Sequence, residues 1–204
     1  MKPNVFLTTA TLVLVSTACS GPAATPEQPT ATQSPTPNLS PTPSQATAIA
    51  RQFLAQREQF GACQEEFRPI DSQEAAIAYP IDADTYFVQV QCFLAAYQGN
   101  YEFFAYTPAN QTAQRLTVTQ YTQNEQGQWQ KAEQTSVGGL PTYDPTTKTL
   151  TINSKYRGLG DCGAIGTYTV AAKTLKLTEF KAKPTCDGKM EPFLPVYPVT
   201  VYPQ

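Results

Sequence analysis

Tyr86-Phe87-Val88-Gln89-Val90-Gln91-Cys92-Phe93-Leu94 carries a hydrophobic period of two. Successive side chains of an extended strand point to opposite faces, so Tyr86, Val88, Val90, Cys92 and Leu94 share one face. The other face is interrupted by Gln89 and Gln91. Such a segment reads as a strand with Cys92 turned inward, and it leaves Phe87, Phe93 and, on the next strand, Phe104 as an outward set whose exposure is to be tested. Gln98-Gly99-Asn100 supplies turn residues, after which Tyr101 to Tyr106 reads as the returning strand of a hairpin.

Working outward, further strands are expected at 115–121, 128–135, 148–153, 166–171 and 174–181, separated by Asn124-Glu125-Gln126-Gly127 and Asp144-Pro145. Upstream the period changes. Ile49, Ala50, Phe53, Leu54 and Arg57 follow helical spacing, with Ser44 as the expected N-cap. The sum is a mainly β fold, an antiparallel β-sandwich or open barrel with one N-terminal amphipathic helix. Nine of the 22 aromatic residues lie between Tyr79 and Tyr106. Aromatic residues suit strand pairing and core packing, and that reading is preferred to a glycan-stacking platform.

The chain has five cysteines and no histidine. With Cys19 set aside for the reason given below, Cys63, Cys92, Cys162 and Cys186 form an even set, and Cys63–Cys92 with Cys162–Cys186 is the pairing in which each bridge brackets one compact stretch. Each closes a loop of about 25 to 30 residues and contributes about 3 kcal/mol. No C-x-x-C spacing occurs, so no metal site and no cofactor is expected.

Residues 1–18 have the anatomy of a signal peptide. Lys2 precedes a short apolar run that includes Leu12-Val13-Leu14-Val15, then small residues and Cys19. The run is too short for a lasting bilayer span, and Cys19 stands where a lipoprotein signal places its acylated residue. A released exported protein is the alternative. Residues 19–45 read as a lipid-anchored, Pro/Thr-rich disordered tether: between Pro22 and Pro43 there are seven Pro and five Thr, with Glu27 the only charge. At about 3.1 Å per residue it reaches about 70 Å. Residues 46–204 then form the disulfide-stapled β-rich domain.

Charge is uneven along that domain. Residues 46–147 hold 5 basic and 11 acidic side chains, whereas 148–189 hold 8 basic and 3 acidic. Lys173, Lys176, Lys181 and Lys183 fall at strand-like intervals rather than in an Arg/Lys cluster with exposed aromatics. A solvated face that complements the acidic half is therefore expected, and no nucleic-acid partner.

The densest motif is Tyr156-Arg157-Gly158-Leu159-Gly160-Asp161-Cys162-Gly163. Its glycines Gly158, Gly160 and Gly163 permit positive φ, so backbone N–H groups with Arg157 and Asp161 make a candidate binding loop; the plainer reading is a tight loop fixed by a disulfide and an Arg157–Asp161 ion pair. It lacks the Gly-Lys-Ser/Thr end of a P-loop. This run, together with Gln91-Cys92-Phe93-Leu94-Ala95-Ala96-Tyr97-Gln98, a Tyr168-centred strand and Thr185-Cys186-Asp187-Gly188, resembles the domain of unknown function 1176 family of bacterial envelope proteins. Its members are typically longer and richer in cysteine, so the chain resembles a shortened variant with a lipoprotein signal. The resemblance implies an exported, cysteine-containing domain and brings no activity with it.

No catalytic residue is assigned. Glu65-Glu66, Asp82 and Asp84 show no spacing that selects a reaction, and without histidine the usual general base is missing. The expected function is that of a membrane-anchored envelope lipoprotein, facing the periplasm or the cell exterior, that presents a non-catalytic binding or assembly domain to an envelope protein or glycan. An outward-facing ligand sensor or inhibitor is the second reading and an enzyme the third. Replacing the acylated residue tests the anchor: Cys19→Ser should move the mature protein from the membrane to the soluble exported fraction, as read by fractionation and N-terminal mass spectrometry.

Overall fold

A computed structural model describes residues 43–198. The signal segment, Cys19 and the tether as far as residue 42 lie outside the described residues. The helix α1 spans Pro43–Ala55. It begins one residue before the expected Ser44 cap, and a proline in the first turn is compatible with a helix start because the first N–H groups have no intrahelical acceptor.

Eleven strands follow among the described residues: β1 Ala76–Pro80, β2 Tyr86–Leu94, β3 Gly99–Thr107, β4 Thr112–Leu116, β5 Val118–Gln123, β6 Trp129–Gln134, β7 Val137–Asp144, β8 Thr149–Lys155, β9 Gly163–Ala171, β10 Thr174–Lys183 and β11 Leu194–Tyr197. One antiparallel sheet runs β1-β2-β3-β7-β8-β9-β10-β11, with β4 also on β3, while β5 and β6 form a separate hairpin. β1 and β11 remain as edges, so the curved sheet is an open barrel. β3 changes partner along its length. Gly99, Asn100 and Tyr101 pair with β7, and Phe103 to Thr107 pair with β4.

Two apolar layers result. Phe87, Phe103, Leu116, Leu150, Ile152, Tyr168 and Phe180 belong to the core enclosed by the curved sheet. The other face of β1–β3 carries Val88, Val90, Cys92, Phe104 and Tyr106, covered by Ala50 and Phe53 of α1 and by Ala62 and Cys63 of the turn region that follows it. The expected outward set is corrected accordingly: Phe87 and Phe104 are fully buried and Phe93 is partly buried against the second layer. A strand sandwiched between two layers has no outward face. Leu94, expected inward, is 51 % exposed because it ends the strand at the rim.

Three further expectations change. The strand at 115–121 is two strands broken at Thr117, since Leu116 still pairs with Phe103 while Val118 begins the separate hairpin with Gln134. The hairpin turn runs through Ala95 to Gln98, and Gly99 and Asn100 already pair within the sheet. Among the described residues the ion pairs form within each half, such as Lys131–Glu133 and Lys181–Glu179. Opposite charges of the two halves are linked only at longer range, where, against desolvation, the Asp84 and Thr85 N–H groups and then Lys148 lower the Asp82 carboxyl. Lys148 does reach across, donating to the Ile81 carbonyl at 2.7 Å.

The hairpin β5–β6 is tied to the main core through an aromatic side chain. Tyr168 is fully buried, and its hydroxyl donates to the Thr119 carbonyl at 2.8 Å. Its ring folds back over Gly166, where a Cβ would stand 2.4 Å from the hydroxyl oxygen, so that glycine leaves the space the tyrosine occupies. In the second layer Phe53 plays the central part, with ring centroids 5.1 Å from Phe60, 5.0 Å from Phe104 and 5.4 Å from Tyr106. Phe53→Ala should therefore cost about 3–5 kcal/mol in denaturant unfolding, as for other buried aromatic truncations. Ile77→Ala, on the exposed side of β1, should change stability by less than about 0.5 kcal/mol.

Candidate functional site

Two segments distant in sequence meet at one rim of the curved sheet. The β2–β3 turn is closed by the Ala95 N–H donating to the Gln98 carbonyl at 2.9 Å. The Gln98 side chain then holds the end of β8: its Oε1 accepts from the Lys155 N–H at 2.9 Å and its Nε2 donates to the Lys155 carbonyl at 3.2 Å. A primary amide can satisfy both backbone groups of one residue in this way, as a neighbouring strand would. Beside it, Tyr97 donates its hydroxyl to the Tyr156 carbonyl at 3.0 Å, and its ring lies over Gly158. Hairpin tip and glycine loop are thus one structural unit.

Within the loop, Arg157 grips Asp161 with both ends of its guanidinium, Nε to Oδ1 and Nη2 to Oδ2, each at 2.6 Å. Oδ2 also accepts the Gly188 N–H at 2.7 Å. Asp161 is 1 % exposed. The Arg157 guanidinium, with help from the Gly188 N–H, holds its carboxyl well below the usual carboxylate range against the desolvation that burial imposes. The Gly160 N–H closes a turn onto the Arg157 carbonyl at 3.0 Å, with Gly160 at φ 76°. At Gly163 a Cβ would stand 2.2 Å from the Ser154 carbonyl oxygen, so β8 and β9 pair there only with glycine. The anion that this loop cradles is its own aspartate.

The four cysteines are joined as Cys63–Cys92 and Cys162–Cys186, with Cα separations of 5.2 and 4.9 Å. Bonds of this kind persist in compartments outside the reducing cytosol, and the domain folds in such a compartment. Among the described residues no helix is long and apolar enough to cross a membrane. Around the first disulfide lies a cluster that sequence reasoning missed: the sulfurs of Cys63 and Cys92 and a carboxylate oxygen of Glu102 lie within 4.8 Å of one another. Sulfurs bonded to each other offer no thiolate to a metal. A signal was present in the sequence, since Glu102 is a lone charge within the apolar run Tyr101 to Tyr106. Of the acidic pairs, Asp82 serves a turn, its Oδ1 accepting from the Asp84 and Thr85 N–H groups at 3.0 and 2.8 Å, and Glu66 pairs with Arg68.

Large apolar side chains are among those the rim leaves in solvent. Leu94 is 51 %, Tyr97 41 %, Leu140 42 %, Tyr156 45 % and Leu159 62 % exposed. Leu94 closes β2 opposite Gly99 at the start of β3, next to the turn that carries Tyr97, whereas Leu140, one residue beyond Gly139, points to the other face of the sheet.

A family model described as "Protein of unknown function (DUF1176)" matches residues 11–200. The chain belongs to this family. No curated protein and no solved structure matches it significantly. In this DUF1176 member the run ending in Tyr97-Gln98 and the run Arg157 to Gly163, some sixty residues apart, are in contact through Tyr97 on Gly158 and Gln98 on Lys155.

The depressed Asp161 carboxyl has a pH consequence. A group whose folded pKa lies below its unfolded value, here 3.8, contributes stability above that value and loses it as pH falls through the folded pKa. Thermal melts from neutral to acid pH should show Asp161→Asn less stable than wild type at neutral pH, with the difference between the two shrinking below about pH 4.

Proposed function

We propose that this DUF1176 protein is a membrane-anchored envelope lipoprotein whose domain is a non-catalytic binding or assembly module, and that the rim built by the β2–β3 turn and the loop 156–160 is its contact surface. The observation that carries the reading is the combination of exposure and fixation. Leu94, Tyr97, Tyr156 and Leu159 are left to solvent, although the backbone around them is held by the Gln98–Lys155 hydrogen bonds, the Arg157–Asp161 pair and the Cys162–Cys186 bridge. An apolar surface on an ordered scaffold binds without a large ordering cost, because the side chains and loops are set before the partner arrives. Tyrosine beside leucine also suits a partner with mixed apolar and polar character.

Three of the acidic residues are taken up by structural partners. Asp161 is saturated by Arg157 and Gly188, Asp82 caps its own turn, and Glu66 pairs with Arg68. The anchoring part of the proposal rests on Cys19 and on a Pro/Thr-rich segment long enough to carry the domain away from a bilayer surface.

Site-specific photocrosslinking in the envelope of the native cell tests the contact surface. A photoreactive residue at position 159 should give one discrete adduct, and one at position 176 on β10 should give none. Leu159→Ser should abolish the adduct formed from position 156 and leave the melting temperature within about 2 °C, as for other surface substitutions. Equal labelling from positions 159 and 176 would refute the rim as the contact surface.

A further inference from the structure

Both disulfides are buried at one end or both, yet their chemical surroundings differ. Cys162 adjoins Asp161, a carboxylate committed to Arg157 and Gly188. Cys63 and Cys92 adjoin Glu102, which is 7 % exposed and whose Oε2 accepts no hydrogen bond. Arg115 Nη2 stands 3.3 Å from that oxygen, and the same guanidinium donates to the Gly61 carbonyl. Two surface pockets border the bridge, although its cysteines are only 4 % and 2 % exposed. Cys63 lines a cavity of about 370 Å³ with Arg57, Glu58 and Phe67, and together with Cys92, Glu102 and Arg115 it lines a second of about 180 Å³. Cys63 itself is held at φ 55°, a left-handed conformation that a residue with a side chain adopts at a cost.

We infer that Cys63–Cys92 is an exchangeable, redox-active disulfide served by Glu102 as its proton donor and acceptor, with a dithiol as the exchange partner. The thiolate of the dithiol attacks the Cys63 sulfur, and an intermolecular disulfide forms as the Cys63–Cys92 bond breaks. The Cys92 sulfur leaves with the bonding electron pair and takes the proton of the Glu102 carboxyl. Glu102, now a carboxylate, accepts the proton of the dithiol's second thiol, whose sulfur closes onto the first. Cys63 is released and takes from solvent the proton that the dithiol lost on first ionising. The dithiol ends oxidised to a cyclic or intramolecular disulfide and the protein ends with two thiols.

Burial, with the Glu65 carboxylate adding to it and the Cys63 backbone N–H and Arg115 opposing it, raises Glu102 above the ordinary glutamate range, so a proton is held beside the disulfide to higher pH than on a free glutamate. Steric access alone predicts a different order. Cys186 is exposed whereas Cys63 and Cys92 are 4 % and 2 % exposed, so a reductant guided by accessibility would open Cys162–Cys186 first.

The test uses the full chain with both bridges formed, dithiothreitol as the dithiol, acid quenching, alkylation and peptide mapping. Cys63–Cys92 should be reduced first, and Glu102→Gln should slow its reduction about tenfold or more, the scale of positioned proton transfer, with the Cys162–Cys186 rate unchanged. That unchanged rate also shows that the variant is folded. In the wild type, the Cys63–Cys92 rate divided by the thiolate concentration of the reagent should fall as pH rises above the ordinary glutamate value of 4.5, because the proton donor is then lost. Earlier opening of Cys162–Cys186, a Glu102→Gln rate within about twofold of wild type, or a flat normalised profile would each overturn the assignment.

Discussion

Strands β2 and β3 have to be dry on both faces, and much of the structure follows from that demand. One face packs Phe87 and Phe103 into the core of the curved sheet, and the other packs Val88, Val90, Phe104 and Tyr106 against α1 and the turns after it. A sheet in this position needs a cover that an antiparallel meander does not itself supply, because its outer face would otherwise meet water. The N-terminal helix is that cover, and the Cys63–Cys92 bridge fastens the segment after the helix to the end of β2. Arg68 extends the fastening, since its N–H donates to the Cys92 carbonyl at 2.7 Å. The helix therefore belongs to the core of the domain.

Two-sided burial also explains what could be read from the sequence and what could not. Strand β2 was legible with its bounds because nine residues of alternating and aromatic character leave little room for a helix. Its faces were not. Periodicity assigns side chains to two sides, but it does not say whether the second side meets solvent, and Gln89 and Gln91 made that side look wet. Gln91 is partly buried and donates to the Tyr101 hydroxyl at 3.0 Å, so the amide that suggested solvent is satisfied inside the protein. Strand β7 was invisible for another reason: Gly138, Gly139 and Pro141 are breakers by intrinsic preference. Pro141 lies beyond the three pairs that join β7 to β3. Gly139 is there because a Cβ would stand 2.8 Å from Ile152. In both cases tertiary contact overrides propensity. The cysteine pairing was legible because loop closure and compactness point the same way, whereas the contact between hairpin tip and glycine loop was not, because no local pattern announces that Gln98 will pair with Lys155.

The charges show the same separation between composition and geometry. An acidic first part and a basic second part suggested mutual attraction, yet the ion pairs form within each part, most of them between near neighbours in the chain. Arg157–Asp161 and Lys183–Asp187 are each four residues apart. Lys183, 9 % exposed, also donates to the Lys189 carbonyl at 2.6 Å, so it ties the segment holding Cys186 to the end of β10. A nearly enclosed ammonium with two acceptors organises the loop after β10, and its contribution is to position that loop as much as to stabilise the domain, since buried pairs must offset their own desolvation.

Asp161 and Glu102 complete the comparison. Each is a nearly buried carboxylate next to a half-cystine and an arginine, and their environments act in opposite directions. Asp161 receives two guanidinium bonds and a backbone N–H, and it stays charged as the counterion of a fixed loop. Glu102 has a charged neighbour without a hydrogen bond to its Oε2, and burial outweighs attraction. The difference lies in geometry, since the partner residues are chemically alike. When one fold drives two carboxyl groups apart in this manner, the saturated one has a structural role and the unsaturated one is available for proton chemistry. On that argument the two bridges of the domain are not equivalent: Cys162–Cys186 sits in a locked electrostatic frame, whereas Cys63–Cys92 sits beside a group that can gain or lose a proton without dismantling the loop around it.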